Sequence, residues 1–377
     1  MNKYLFILGL VGTALLSACS SDDFTIVPSP DEEEVIVVEA GKDSDVPITL
    51  GVGRGRAITR TPIESDPNSL FSTPEGLYIG VSCFATGIQD GAPKISKIPT
   101  SDENIKWSPA YFTYYPYANW LDNVPAKVAS NGTTSDITFL DASALPTERS
   151  KVFYYPFGNW YHYDFFAYYP RQASVTTNAK SSFADFTITG KEDIIWGKTT
   201  PPAADAFSSK YFRENLSADV PQFTFNHLLT QLEIHLKPLE SDKTELSSQD
   251  YKLTDVKLTN VYNNLRLWIA CKIEDSHTAG TLEPIGSKTE TGIKVWNSYD
   301  SDPFNGGAEI AVVPTLPATE TLVCYAMVRP QDISGMKVHI KMKKSGGEEI
   351  ERDITLPSPE GGFKAGSKYK VSIELKK

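Results

Sequence analysis

The chain has 377 residues, of which 40% are hydrophobic and 22% charged, and its formal net charge is −11 at pH 7. This composition is that of a globular rather than a disordered protein, and the length allows two domains of ordinary size. The acidic balance argues against nucleic acid as a partner, because no basic surface large enough to neutralise several phosphates is evident. Aromatic residues, Gly and Pro are all frequent, which favours strands and turns over helices.

Cysteine use is sparse, and we predict no structural metal and no cofactor. The sequence has no CxxC pair and no Cys/His pair at zinc spacing. If Cys19 is consumed by processing, an odd number of cysteines remains, so a disulfide framework is not expected. Cys83, Cys271 and Cys324 are then expected to be small buried hydrophobes.

Residues 1–19 predict a lipoprotein signal peptide. Lys3 supplies the positive charge, and Tyr4–Leu16 is an apolar stretch too short to span a bilayer as a mature helix. It ends in Leu-Ser-Ala-Cys, which resembles a bacterial lipobox in which the thiol of Cys19 takes the lipid. The alternative is a plain secretory signal that is cut near Ala18.

The next segment, residues 20–60, contains a tether, a strand and a basic exit. Apolar side chains alternate with small or polar ones at the period of a half-buried strand, at Val46, Ile48, Leu50 and Val52. A flexible basic stretch with Arg54, Arg56 and Arg60 follows. A strand with such a protease-sensitive exit can be placed in a fold and later removed, whereas the alternative is an ordinary first strand with a basic turn.

The rest of the chain predicts an all-β fold, because short alternating strands and Gly/Pro turns recur throughout. Near Asn226–His227 the apolar positions change from odd to even, which predicts a bulge or a break. Alternation over residues 336–343 and 350–356 predicts a hairpin, and a closing strand follows at 369–375. We expect an N-terminal domain of residues 61–220 and a C-terminal domain of residues 221–377.

Catalytic signatures are missing from the sequence, and we predict that the protein is not an enzyme. It contains neither G-x-S-x-G nor H-E-x-x-H. His227 and His235 could share a strand face with Glu233 as a metal or acid/base site, but hydrogen-bonded structural histidines are the favoured interpretation. Asp164 could have a raised pKa if it is buried among its aromatic neighbours.

Several segments together resemble the fimbrillin family of type V fimbriae. They are the lipobox, the strand that leaves through Thr59-Arg60, and three later segments at 164–170, 225–232 and 363–369. The individual motifs are loose, so their order and spacing carry the resemblance, which covers most of the chain after residue 45. It implies two tandem β-sandwich domains with Greek-key-like, transthyretin-like topology.

The resemblance also implies a function. A subunit of this family is exported as an outer-membrane lipoprotein and is cut by a maturation protease at an Arg. The groove left by the removed strand, here residues 46–52, is then filled by a strand from another fimbrial subunit. Arg60 is the first choice for the cut, with Arg56 and Arg54 as alternatives. The partners implied are other fimbrial subunits, the outer membrane, the protease and a host or bacterial surface ligand.

The chain stops at Lys377, directly after the closing strand, so no donor extension is expected and the subunit is predicted to lie at the fimbrial tip or next to it. Two alternatives remain open. One is a surface glycan-binding lipoprotein with Trp120 and Trp160 as platforms for sugar rings, and the other is a hydrolase of unusual design that uses Asp164.

Overall fold

The structure is a computed structural model of the chain. It describes residues 43–52, 77–88, 121–130, 135–144, 149–156, 161–178, 181–190, 192–202, 206–246, 251–271, 276–289, 292–294, 320–330, 335–344, 346–347 and 349–376.

Nearly all regular elements in these ranges are strands. Those before residue 200 are β1 Asp43–Pro47, β2 Leu50–Val52, β3 Leu77–Ile88, β4 Val124–Ser130, β5 Ser135–Phe139, β6 Tyr154–Pro156, β7 Tyr161–Tyr169, β8 Thr176–Thr177, β9 Ser181–Thr187 and β10 Ile195–Thr199. Those after it are β11 Gln222–His227, β12 Thr230–Pro238, β13 Tyr251–Thr259, β14 Asn264–Cys271, β15 Leu282–Pro284, β16 Ile293–Lys294, β17 Thr321–Val328, β18 Lys337–Lys344, β19 Glu349–Thr355 and β20 Lys368–Leu375. The helices are a 3-10 turn at Ala142–Ala144, α1 Ser209–Glu214 and α2 Lys243–Leu246.

The predicted all-β class is confirmed. In the N-terminal part the strands close into a ring in the order β10-β11-β2-β5-β4-β3-β7, which we call the barrel. Closure leaves none of these strands with a free edge, because β7 also pairs with β10. Alternate residues of each strand face the inside, where Ile79, Val81 and Phe165 form a continuous apolar core.

The predicted change of phase near Asn226–His227 is confirmed as a break between β11 and β12. β11 pairs with β10 and β2 of the barrel, whereas β12 pairs with β17 and β20 in a separate sheet. Strand β11 thus lies after residue 220 in the chain but in the barrel in space. The division into domains at that residue and the packing of the sheets as tandem sandwiches stay predictions.

A second core lies among three further sheets, ordered β17-β12-β20, β16-β13-β18-β19 and β15-β14-β9-β8, the last of which combines β8 and β9 with two later strands. The predicted hairpin is confirmed as β18 and β19, which pair antiparallel from Lys337 to Lys343. Val338, Ile340 and Met342 are buried while His339 and Lys341 between them are half-buried, as the alternation requires. The expected burial of Cys83 and Cys324 is confirmed, and Cys271 is half-buried.

A buried hydrogen bond joins the end of β11 to the turn before β10. His227 Nδ1 lies 2.5 Å from Asp193 Oδ2, and both side chains are almost fully buried. A carboxylate only accepts, so the imidazole donates from Nδ1. His227 is therefore a structural histidine, and His235 lies on another strand, 3.7 Å from Glu233.

Replacing Asp193 by Asn is expected to lower the free energy of unfolding by about 1–3 kcal/mol, because a charged acceptor of a buried hydrogen bond is lost. Urea titration of both proteins measures the difference. Glu214→Gln is the matched control, since its pair with Lys210 is exposed and spans 3.7 Å, and it should change stability by less than about 0.5 kcal/mol. Equal effects of the two substitutions would contradict a structural role for the buried pair.

Candidate functional site

The segment predicted as one strand is divided into two strands with different partners. β1 pairs antiparallel with β6, with Pro47 opposite Tyr154. β2 pairs antiparallel with β5 and parallel with β11. The chain changes neighbours at Ile48 and Thr49, where Pro47 has no N–H to continue a ladder, and Ile48 N–H donates to Phe153 O at 2.8 Å.

The predicted apolar face of the segment is buried, although Gly51 on the other face is buried as well, so the alternation of buried and exposed residues does not continue through β2. Ile48 is 5% exposed, Leu50 1% and Val52 5%, and all three belong to the barrel core. Thr49 is exposed and Val46 is half-buried against the same core. Ile48, Leu50 and Val52 therefore supply part of the apolar core inside the barrel.

The backbone of β2 is enclosed on both sides. Leu50 lies opposite Ile137 of β5, and Gly51 lies beside Gln222 of β11. Gly51 N–H also donates to Pro221 O at 3.0 Å. Because β2 is the only link between β5 and β11 in this ring, its absence would leave two strands with unpaired backbone groups.

The outer side of β2 is shaped by the lack of a side chain at Gly51. A Cβ there would lie 2.6 Å from both the nitrogen and the oxygen of the Gln222 side-chain amide. Glycine thus allows Gln222 to lie across the strand, and a larger residue would displace that amide.

Helix α1 and strand β6 cover the segment from the side of β1. Ser208 Oγ caps the helix by accepting from Tyr211 N–H at 3.1 Å. Phe212 of this helix lies 5.4 Å from Tyr155 of β6, measured between ring centroids. Tyr155 is 1% exposed, and burial raises the pKa of its hydroxyl well above the usual value. Tyr155 therefore belongs to the core beside β1.

The structure brings together only some of the residues singled out in the sequence. Cys19, Arg54, Arg56, Arg60, Trp120 and Trp160 lie outside the described residues. Asp164 is half-buried on β7. Within the described ranges, no group of three or more His, Cys, Asp or Glu side chains is arranged to hold a metal ion. None of the helices in the described part of the chain has the length and apolar character needed to cross a bilayer.

The parallel pairing of β2 with β11 was not foreseen from the sequence. The odd-position alternation of Phe223 and Phe225 indicated a strand, and His227 continues it, but nothing in the pattern named its neighbours. Phe223 is fully buried and stacks on Phe225 with ring centroids 5.4 Å apart. These rings lie in the same core as Leu50 and Val52 and form part of the site.

Comparison with known proteins assigns the chain to a family. A family model described as fimbrillin-like matches residues 117–377, and no curated protein matches the chain. Among solved structures, a candidate cell adhesion protein from Bacteroides uniformis ATCC 8492 is 14% identical with a TM-score of 0.46, over 87% of this chain and 92% of that one. The fimbrial anchor protein Mfa2 from Porphyromonas gingivalis is 9% identical with a TM-score of 0.26, over 82% and 81%. The family match, which spans more than half of the chain, carries the assignment.

Proposed function

Because this chain belongs to the fimbrillin-like family, we propose that it is a fimbrial subunit matured by removal of its own β2. In this proposal the precursor is lipid-anchored through Cys19 to the outer membrane and is cut after Arg60, or after Arg56 or Arg54. Residues 43–52 then leave, and a strand from another subunit takes their place. The protein acts as a structural, adhesive component of a surface fimbrium and not as an enzyme.

The observation that carries this proposal is the position of β2 between β5 and β11. In space, β2 is an interior strand of the barrel and pairs with β11. In the sequence, it lies far from β11 and just before a basic segment. Removal of residues 43–52 takes β2 from the barrel and β1 from its pairing with β6, whereas the other pairings of the barrel do not involve this segment. A strand in the position of β2 can therefore be exchanged while those pairings persist.

The energies involved make an empty groove unfavourable. Burial of Ile48, Leu50 and Val52 is worth roughly 5–9 kcal/mol before ordering costs, taking about 1.5–3 kcal/mol for each side chain. That is comparable to the whole stability of a typical domain, about 5–15 kcal/mol. The cut protein therefore requires a replacement strand, whereas the uncut precursor fills its own groove.

Cleavage changes the competition between β2 and a strand from another subunit for the same place in the barrel. In the precursor, β2 is covalently linked to the barrel, so its effective concentration is high. After a cut at Arg60 the same segment is a separate peptide and can be displaced by a strand of similar apolar pattern. The cut also separates Cys19 from residues 61–377, so one event would release the subunit from its anchor and open the groove.

The C-terminal strand supports an acceptor role. β20 pairs parallel with β12 along its whole length, from Lys368 to Leu375, and Ile373 and Leu375 are buried. It is thus occupied in its own sheet. Placement at the tip stays a prediction. Cut protein incubated alone should form no ladder on mild gels, and self-polymers would contradict the tip assignment.

N-terminal sequencing of the protein on the cell surface tests the cleavage directly. We expect Thr61 as the first residue, since a free leader would then precede β3. Arg60→Ala should abolish this product or move the first residue to 57 or 55. Arg149→Ala is the matched control, because Arg149 is exposed and lies in the barrel region, and it should leave the N-terminus unchanged. A mature protein that still contains residues 43–52 would refute the proposal.

A further inference from the structure

An open cleft lies beside β8 and β9 of the sheet β15-β14-β9-β8, which contains no part of residues 43–52. Its volume is about 190 Å³, and it is lined by Gln172, Ala173, Ser174, Thr176, Phe183 and Asp185. Pockets for drug-sized ligands span about 300–1,000 Å³, so this cleft has room only for a smaller group such as a single sugar ring. Ala184 and Phe186 of the same strand are buried in the core, so Phe183 and Asp185 occupy the opposite face by alternation.

Phe183 provides an aromatic surface that is held in place. The Arg266 guanidinium carbon lies 3.9 Å from the centroid of its ring, and Trp268 meets it edge-on with centroids 5.1 Å apart. Phe183 is opposite Trp268 in the β9–β14 ladder, which fixes this contact by register. The ring is half-buried and also lines the cleft, so part of it remains available to a ligand.

Asp185 provides an oriented carboxylate without a net charge. Arg266 donates to it through two bonds, from Nε to Oδ1 at 2.8 Å and from Nη2 to Oδ2 at 2.9 Å. This fork fixes the plane of the carboxylate, and each oxygen keeps a further lone pair for a hydroxyl group. Since the guanidinium balances the charge, the pair favours neither an anionic nor a cationic ligand.

The backbone at Gln172, on one side of the cleft, is held in place by hydrogen bonds to Tyr168 and Asn123. Gln172 N–H donates to Tyr168 Oη at 3.1 Å, and its carbonyl accepts from Asn123 Nδ2 at 3.0 Å. Tyr168 in turn donates to Asn123 Oδ1 at 2.8 Å. Burial raises the pKa of Tyr168 to about 12, so the hydroxyl stays protonated and the network stays intact at neutral pH. The cleft is therefore built before any ligand arrives.

We propose that this cleft binds a single neutral pyranose residue of a surface glycan. A pyranose has a face of C–H bonds that packs on an aromatic ring and a rim of hydroxyls that point in several directions. Phe183 matches the face, while Asp185 and the side chains of Gln172, Ser174 and Thr176 match the rim. The site differs from the platforms expected at Trp120 and Trp160. It is also independent of strand exchange, because a subunit can polymerise without binding sugar.

Saturation-transfer NMR on the full chain tests the assignment with methyl glycosides of glucose, galactose and mannose. At about 10 mM sugar, a millimolar Kd gives near-complete occupancy. We expect transfer to the ring C–H protons of at least one of these glycosides and weaker transfer to glucuronate and glucosamine. Phe183→Ala and Asp185→Asn should each weaken binding about tenfold through the lost ring contact or hydrogen bond.

Thr187→Val is the matched control, because Thr187 is exposed on the same strand and bonds Asn264 at 2.8 Å, outside the cleft. It should bind as the unaltered protein does. If circular dichroism shows that Phe183→Ala does not fold, the binding measured for Asp185→Asn tests the proposal instead. Asp185→Asn is expected to fold, because the ion pair that it removes is exposed. Absence of transfer to every neutral glycoside, preference for a charged sugar, or equal binding by Asp185→Asn and Thr187→Val would overturn the assignment.

Discussion

Replacing Leu50 by Asp is expected to expel β2 from the barrel of the uncut protein and to lower its free energy of unfolding by more than about 4 kcal/mol. Leu50 is 1% exposed in the barrel core. An ionised carboxylate has no partner there, and burying it costs more than releasing the strand. Thermal and urea unfolding measure the loss. A synthetic peptide with the sequence of residues 43–52 should then bind the variant and raise its Tm.

The control for this prediction lies one residue away. Thr49 is exposed in the same segment, so Thr49→Asp should shift stability by less than about 0.5 kcal/mol and leave the strand in place. The peptide should stabilise the Leu50→Asp protein but not the Thr49→Asp protein. A peptide that itself carries Asp at position 50 should stabilise neither protein. If the Leu50→Asp protein is as stable as the control, β2 does not fill the groove in the way proposed.

A disulfide between β2 and β5 is expected to abolish strand exchange. Val52 lies opposite Ser135 in the antiparallel ladder. Cα atoms of such pairs are about 4.5–5.5 Å apart, within the range of about 4.4–6.8 Å that a disulfide requires. In the oxidised Val52→Cys/Ser135→Cys protein, cleavage at Arg60 should leave residues 43–52 attached. Uptake of a labelled 43–52 peptide should fall below detection and should return when the bond is reduced.

Two comparisons make the locking experiment decisive. The single variant Val52→Cys should take up the peptide equally well under oxidising and reducing conditions, because no bond can form. The native Cys83 and Cys324 are buried, whereas Cys271 is half-buried and is replaced by Ser in both proteins so that it cannot compete for pairing. Equal peptide uptake by the oxidised double variant and the single variant would show that exchange does not require β2 to leave. That outcome would contradict the proposed mechanism and leave the family assignment intact.

Local sequence pattern predicted the strands well, because a period of two reflects only which face of a strand is buried. The apolar residues Ile48, Leu50 and Val52 were expected to face a core, and they do. The break after His227 was visible as a change of phase. His227 itself shares the buried phase of Phe223 and Phe225, a signal for a core histidine, but its partner Asp193 could not be identified, since a turn residue carries no periodic pattern.

The candidate sites depended on pairing between distant strands. Gly51 meets Gln222, and Asp185 meets Arg266, only because particular strands are neighbours in particular registers. Alternation does not encode a neighbour, and a shift of one residue would reverse the faces. The cleft beside Phe183 therefore had no signal in the linear chain.

For this protein, the sequence by itself determined the all-β class, the family resemblance, and the buried face of residues 46–52. These follow from local chemistry, namely the alternation of side chains and the order of short motifs. Only the tertiary structure decided that this segment divides at Pro47 and that β2 closes the barrel between β5 and β11. Closure is a property of the whole ring of backbone hydrogen bonds, so no single stretch of the chain could specify it.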